Sequence, residues 1–173
     1  MPPAISKPSI SVYASSLEAV TGAVEAGCCR VYFEPDIGIA EGRRCRPGKT
    51  GPGEVLETLS LAKEICKGGN VDLVWKWPRI VRRRFQDFAA PLLKRAEVED
   101  VMVEGLGTAE AVRAQAPNVR ISGSVGLNVW NSLTVEALSS SFQRLTLSPE
   151  LSAREMEKMA ARSQSIANPP DLE

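Results

Sequence analysis

Five apolar runs in this chain each lead into polar side chains that could do chemistry. These are Glu34, Lys76 with Arg79, Glu104, Asn128 with Asn131, and Ser148 with Glu150. Histidine is absent. That excludes Ser-His-Asp and Cys-His catalysis and every histidine-ligated metal site within the chain. Proton transfer must therefore use Glu, Asp, Lys, Tyr, Cys or a bound cofactor. Glu104 or Glu150 beside Lys76 would make an acid–base pair. Glu34, Arg79, Asn128, Asn131 and Ser148 would then contact substrate. Any one of these residues has an ordinary alternative role, capping a helix or satisfying loop backbone. Their shared position, each just past an apolar run, is what points to a site.

Those residues need elements to position them, and the apolar pattern supplies strands and helices in alternation. Strands are expected at Ser9–Tyr13, Cys29–Phe33, Val71–Trp77, Val98–Glu104, Val119–Ser122 and Arg144–Leu147. Helices are expected after Ser15-Ser16 up to Gly27, then at Glu54–Lys67, Phe85–Ala96, Ala109–Gln115, Ser132–Ser139 and Ser152–Ser163. Pro91 should kink or break the third helix. Thr108 is the expected cap of the fourth, and Ser152 with Glu155 forms a capping box on the last. Alternation of this kind predicts a parallel sheet with crossover helices. In such folds ligands bind at the carboxyl ends of the strands, which is where the polar residues above fall. A closed eight-stranded barrel needs two more units and about 250 residues. The chain, at 173 residues, is thus read as an α/β, partial (β/α) TIM-barrel-like domain over residues 1–165. It would be an open sheet, or a fragment completed by another segment or a second copy. Residues 166–173, with Pro169-Pro170-Asp171, are expected to be a loose tail.

Residues 35–53 are punctuated by glycine and proline and read as a long loop. Within it, Gly42 to Thr50 resembles a phosphate-binding loop. It has five residues between its glycines where the motif needs four, and Gly51-Pro52-Gly53 follows where a helix should begin. It is rejected on those grounds. The cysteines, Cys28, Cys29, Cys45 and Cys66, form no C-x-x-C pair. An iron–sulfur cluster held by this chain alone is not expected. A divalent metal remains open. Trp75 and Trp77 would share one strand face, where core packing is the ordinary role.

The net charge is zero but uneven. Residues 1–95 carry 15 basic and 10 acidic side chains, a net of +5; residues 96–173 carry 6 and 11, a net of −5. The excess lies in Arg43, Arg44, Arg46 and Lys49, and in Arg82, Arg83 and Arg84 beside Arg79. Such clusters can contact phosphate or RNA, although a solvated loop and helix start is the commoner role. With 43% apolar and 24% charged residues, the composition is that of a globular domain. No apolar run is long enough for a membrane span. The N-terminus lacks a signal-like stretch, so a cytoplasmic location is expected.

Four segments, taken in order, resemble the peptidase U32 (collagenase-like protease) family. They are Leu73–Ile80 (LVWKWPRI), Val101–Gly107 (VMVEGLG), Leu127–Ser132 (LNVWNS) and Leu145–Ser152 (LTLSPELS). The opening unit, Ser16–Gly27 with Val31–Phe33, fits the same pattern. The resemblance spans about residues 9–163. It implies a (β/α)-barrel-like domain and hydrolysis of peptide bonds in peptide or protein substrates. It also implies relatives that hydroxylate RNA bases or quinone precursors, some with a cysteine-held iron–sulfur cluster. The family's Cys- and Gly-rich signature lies downstream of the Ser-Pro-Glu-Leu region and is not matched here. The alternative expectation is thus a substrate- or RNA-binding module of such a modifying enzyme, lacking its iron–sulfur part.

Overall fold

The computed structural model describes residues 9–36 and 51–173. The basic residues Arg43, Arg44, Arg46 and Lys49, the rejected phosphate-loop motif and Cys45 lie outside these. In chain order the elements are β1 (Ser11–Ala14), α1 (Leu17–Glu25), β2 (Arg30–Phe33), α2 (Pro52–Gly68), β3 (Asp72–Lys76), α3 (Arg83–Arg95) and β4 (Asp100–Val103). Then follow α4 (Leu106–Gln115), β5 (Arg120–Gly123), a 3₁₀ turn (Val125–Leu127), α5 (Ser132–Leu138), β6 (Arg144–Leu145), α6 (Ala153–Ser163) and β7 (Asp171–Leu172). The seven strands pair in chain order, every neighbour parallel. They form a curled half-barrel, the partial TIM-barrel-like domain that the alternation predicts.

Period-two alternation sorts the strand residues onto two faces. One face carries Val31, Phe33, Trp75, Val101, Val103, Ile121 and Leu145, all buried and continuous with apolar helix residues such as Val20, Leu59, Ala89, Val112 and Val135. The other face carries Tyr32, Val74 and Met102, a small buried cluster of its own, among charged neighbours. Trp75 and Trp77 belong to the helix-covered layer. They meet edge to face with ring centroids 5.7 Å apart, and Trp77 meets Phe85 at 5.1 Å. Core packing accounts for both.

The inner face is tied together by ion pairs. Arg30 binds Asp72 at 3.0 Å and Glu173 at 3.3 Å. Glu173 also accepts from Ser11 Oγ at 2.6 Å and from the Tyr32 hydroxyl. Arg144 reaches Ser122 Oγ at 3.4 Å and Asp171 at 3.5 Å. Residues at the end of β7 thereby bond to β1 and β2, which is how the curl of the sheet is held.

The structure departs from the sequence expectations at several points. The expected loose tail contains β7, whose Asp171 and Glu173 amides donate to Gln143 and Leu145 carbonyls at 2.9 and 3.0 Å. A sheet edge left by β6 supplies the partner that local sequence does not advertise. Helix α3 runs through Pro91 without a break, held down by buried Phe85, Ala89, Leu92 and Leu93. Helix α4 starts at Leu106, ahead of Thr108; Gly105 is its extended N-cap, and its carbonyl accepts from Ala109 N at 3.1 Å. Helix α2 begins at Pro52, a position where the missing amide hydrogen costs nothing. The expected β6 stops at Leu145, and Leu147 instead bridges Val129. The capping box of Ser152 and Glu155 is present.

Asp100 is 7% exposed at the start of β4. Arg120 clasps it through two hydrogen bonds, Nε to Oδ1 at 3.0 Å and Nη2 to Oδ2 at 2.5 Å. Arg120→Ala leaves that carboxylate buried without its counter-charge. The expected cost is about 3 kcal/mol, read as a fall of about 6–12 °C in Tm by calorimetry.

Candidate active site

Four of the strands deliver side chains to one cluster at the carboxyl rim. Lys76 is the last residue of β3, and its inward side chain is largely buried. Its ammonium lies 2.6 Å from Glu34 Oε2 and 3.7 Å from Glu104 Oε1. Glu34 directly follows β2, its amide bonded to the Ala14 carbonyl at 2.9 Å. Glu104 directly follows β4, and Ser124 directly follows β5, its amide bonded to the Val103 carbonyl at 2.9 Å. These rim positions repeat the strand register, so the sheet itself sets the spacing.

Glu104 is fully engaged. Its Oε1 accepts from Ser124 Oγ at 3.0 Å and its Oε2 from the Gly126 amide at 3.0 Å. Its side chain is only 9% exposed. Gly126 sits on the 3₁₀ turn, which Asn128 closes in the left-handed conformation (φ 50). Glu34 is different: its side chain is 38% exposed, and among the described residues its Oε1 has no partner. One ammonium is therefore shared by an anchored carboxylate and an open one. Tyr13 completes the mouth. Its ring stacks on Tyr32 with centroids 5.1 Å apart, and Lys76 Nζ lies 6.0 Å from its centroid. Burial, with smaller and partly opposing contributions from its neighbours, raises the Tyr13 pKa, so the hydroxyl stays a phenol near neutrality.

The cluster thus joins three of the sequence-predicted residues, Glu34, Lys76 and Glu104. Among the described residues, the other candidates make no side-chain hydrogen bond or ion pair to its three members. Glu150 is exposed, and its amide donates to Ser148 Oγ at 3.4 Å. Among the described residues, no hydrogen bond or ion pair joins it to Lys76 or Glu104. Ser148 is buried, its amide on the Val129 carbonyl at 3.1 Å. Asn131 is the N-cap of α5 and accepts from Thr134 N at 3.0 Å. Asn128 and Arg79 are exposed. Arg82 is the backbone N-cap of α3, and Arg83 and Arg84 are exposed on its first turn. Tyr13, Ser124 and Gly126 are not among the sequence-predicted residues. Tyr13 was legible from alternation, since it sits two residues from Ser11 on the inner face; nothing local marks the other two.

The cysteines do not offer a nucleophile near neutrality at their buried positions. Burial above all, with Cys28 adding to it, pushes the Cys66 thiol up to about 11, and burial raises that of Cys28. Among the described residues, no group of three or more His, Cys, Asp or Glu side chains is arranged to hold a metal ion. No helix among them is long and apolar enough to cross a membrane.

A curled parallel α/β sheet with a charged cluster at its carboxyl rim defines a (β/α)-barrel-type protein. Residues 83–168 match the sequence model of Peptidase family U32, the family that the sequence resembles. Three of the four resembling segments fall inside the match. No curated protein is significantly similar to the chain. Among solved structures, a thiamine phosphate pyrophosphorylase from Pyrococcus furiosus superposes with a TM-score of 0.59 at 12% identity, covering 94% of this chain and 72% of that one. A GH18 chitinase from Pseudoalteromonas aurantia superposes with a TM-score of 0.56 at 11% identity, covering 95% and 78%. At such identities these likenesses speak for the fold alone.

Proposed function

We propose that this chain is the barrel portion of a U32-type peptidase, and that Glu34, Lys76 and Glu104 form its hydrolytic centre. One observation carries the reading: a single lysine ammonium held between one anchored and one solvent-facing carboxylate at the rim. The open carboxylate, Glu34, takes a proton from water as the water oxygen attacks the peptide carbonyl carbon. When the tetrahedral intermediate collapses, Glu34 returns that proton to the departing amine. The products are a carboxylic acid, which then gives its proton to the amine or to water, and an amine, and Glu34 ends unprotonated. Lys76 fixes the position of Glu34 and offsets the charge that builds up beside it. Glu104, with both oxygens already bonded, holds Lys76 in place without exchanging protons.

The test is Glu34→Gln. Glutamine keeps an oxygen for the Lys76 ammonium and cannot accept the proton. With a quenched fluorescent peptide pool, kcat is expected to fall about 10³-fold, with Tm little changed. Hydrolysis by Glu34→Gln at the wild-type rate would remove Glu34 from the chemistry.

A further inference from the structure

We propose that Tyr13 is a further catalytic residue of this site, its phenolic O–H donating to the carbonyl oxygen of the scissile bond as negative charge develops there. The proposal rests on the peptidase reading above and adds the one function that reading lacks. Peptide hydrolysis through a tetrahedral intermediate needs a donor for the oxyanion. Most donors at the mouth are already spent. The Ser124 hydroxyl and the Gly126 amide both bond Glu104, and Lys76 is shared by two carboxylates.

Tyr13 differs in what holds its proton. Its hydroxyl donates to the Met102 thioether sulfur at 3.6 Å. A thioether is a weak acceptor, so exchanging it for a peptide carbonyl costs little, and exchanging it for an oxyanion is favourable. The ring cannot wander, because the Tyr32 stack holds it on the inner face of β1. It is nonetheless 54% exposed, so a substrate in the mouth can reach it. Tyr13 transfers no proton in this role. As the intermediate collapses the oxyanion becomes a carbonyl again, and the O–H returns to the sulfur.

Tyr13→Phe is the test, since phenylalanine keeps the stack and removes only the donor. Steady-state hydrolysis of the peptide pool is expected to show kcat lowered about 100-fold, with KM within about threefold and Tm unchanged. An active wild type with an equally active Tyr13→Phe variant overturns the role of Tyr13 and leaves the peptidase reading standing. A change confined to KM also overturns it, because that signature belongs to ground-state binding. A folded wild type that hydrolyses nothing overturns both.

Discussion

Lys76→Met is expected to lower hydrolysis about 10³-fold and to cost about 3 kcal/mol of stability. The ammonium is the only cation paired with the two rim carboxylates among the described residues, at 2.6 Å from Glu34 and 3.7 Å from Glu104. Removing it leaves Glu104, only 9% exposed, without its counter-charge. It also leaves two like charges facing one site. Breaking one side of a buried pair is costly because the remaining charge stays desolvated. Glu104 keeps its bonds from Ser124 and Gly126, so the strand ends should hold and the variant should fold. Glu34, free of its tether, should no longer sit where a water can be deprotonated in line with the carbonyl. Chemical unfolding and steady-state rates check the two halves of this expectation separately. A Lys76→Met variant as stable and as active as wild type would show that the ion pairs do not organise the site.

Gly126→Ala should act on the same site without replacing a charged residue. A Cβ there would lie 2.3 Å from Glu104 Oε2, 2.8 Å from the Glu104 carbonyl oxygen and 3.1 Å from Glu104 Cβ. The carboxylate end could swing away, but the carbonyl belongs to backbone at the end of β4. The 3₁₀ turn must therefore lift, and the 3.0 Å bond from the Gly126 amide to Oε2 is lost. We expect about 2 kcal/mol of destabilisation, in the range for forced overpacking. We expect a fall of about 100-fold in kcat, since small displacements of positioning groups carry penalties of that order. Gly107→Ala is the control. It lies in α4 with open space around its would-be Cβ, so alanine should add about 0.5–1 kcal/mol and leave the rate alone. Equal rates in Gly126→Ala and wild type would mean that Glu104 need not be anchored by the turn.

Sequence and structure meet most closely where periodicity is strong. The inner strands β2 to β5 read plainly, because their apolar runs are bounded by turn residues and separated by helical spacing. The same logic puts Lys76 and Glu104 at strand ends, where Lys76 Nζ lies 3.7 Å from Glu104 Oε1. The parts that were not legible depend on tertiary context. Asp171 and Leu172 form a strand only because β6 presents an unpaired edge, and the Pro169-Pro170 pair before them argues locally for a loose tail. Pro91 stays helical because α3 buries four apolar side chains around it. Glu150 looked equivalent to Glu104, each ending an apolar run. β6 is only two residues long, however, and Ser148 is drawn inward while Glu150 is left exposed. Gly126 carried no local signal, because its role is a close approach between two segments 22 positions apart.

The measurement that bears most directly on the rim cluster is digestion of a mixed peptide pool in ¹⁸O-labelled water by the 173-residue chain, read by mass spectrometry beside Glu34→Gln. Wild type is expected to yield new carboxyl termini carrying one ¹⁸O atom, and the variant almost none. No new termini from folded wild type, or equal yields from both proteins, would contradict that expectation.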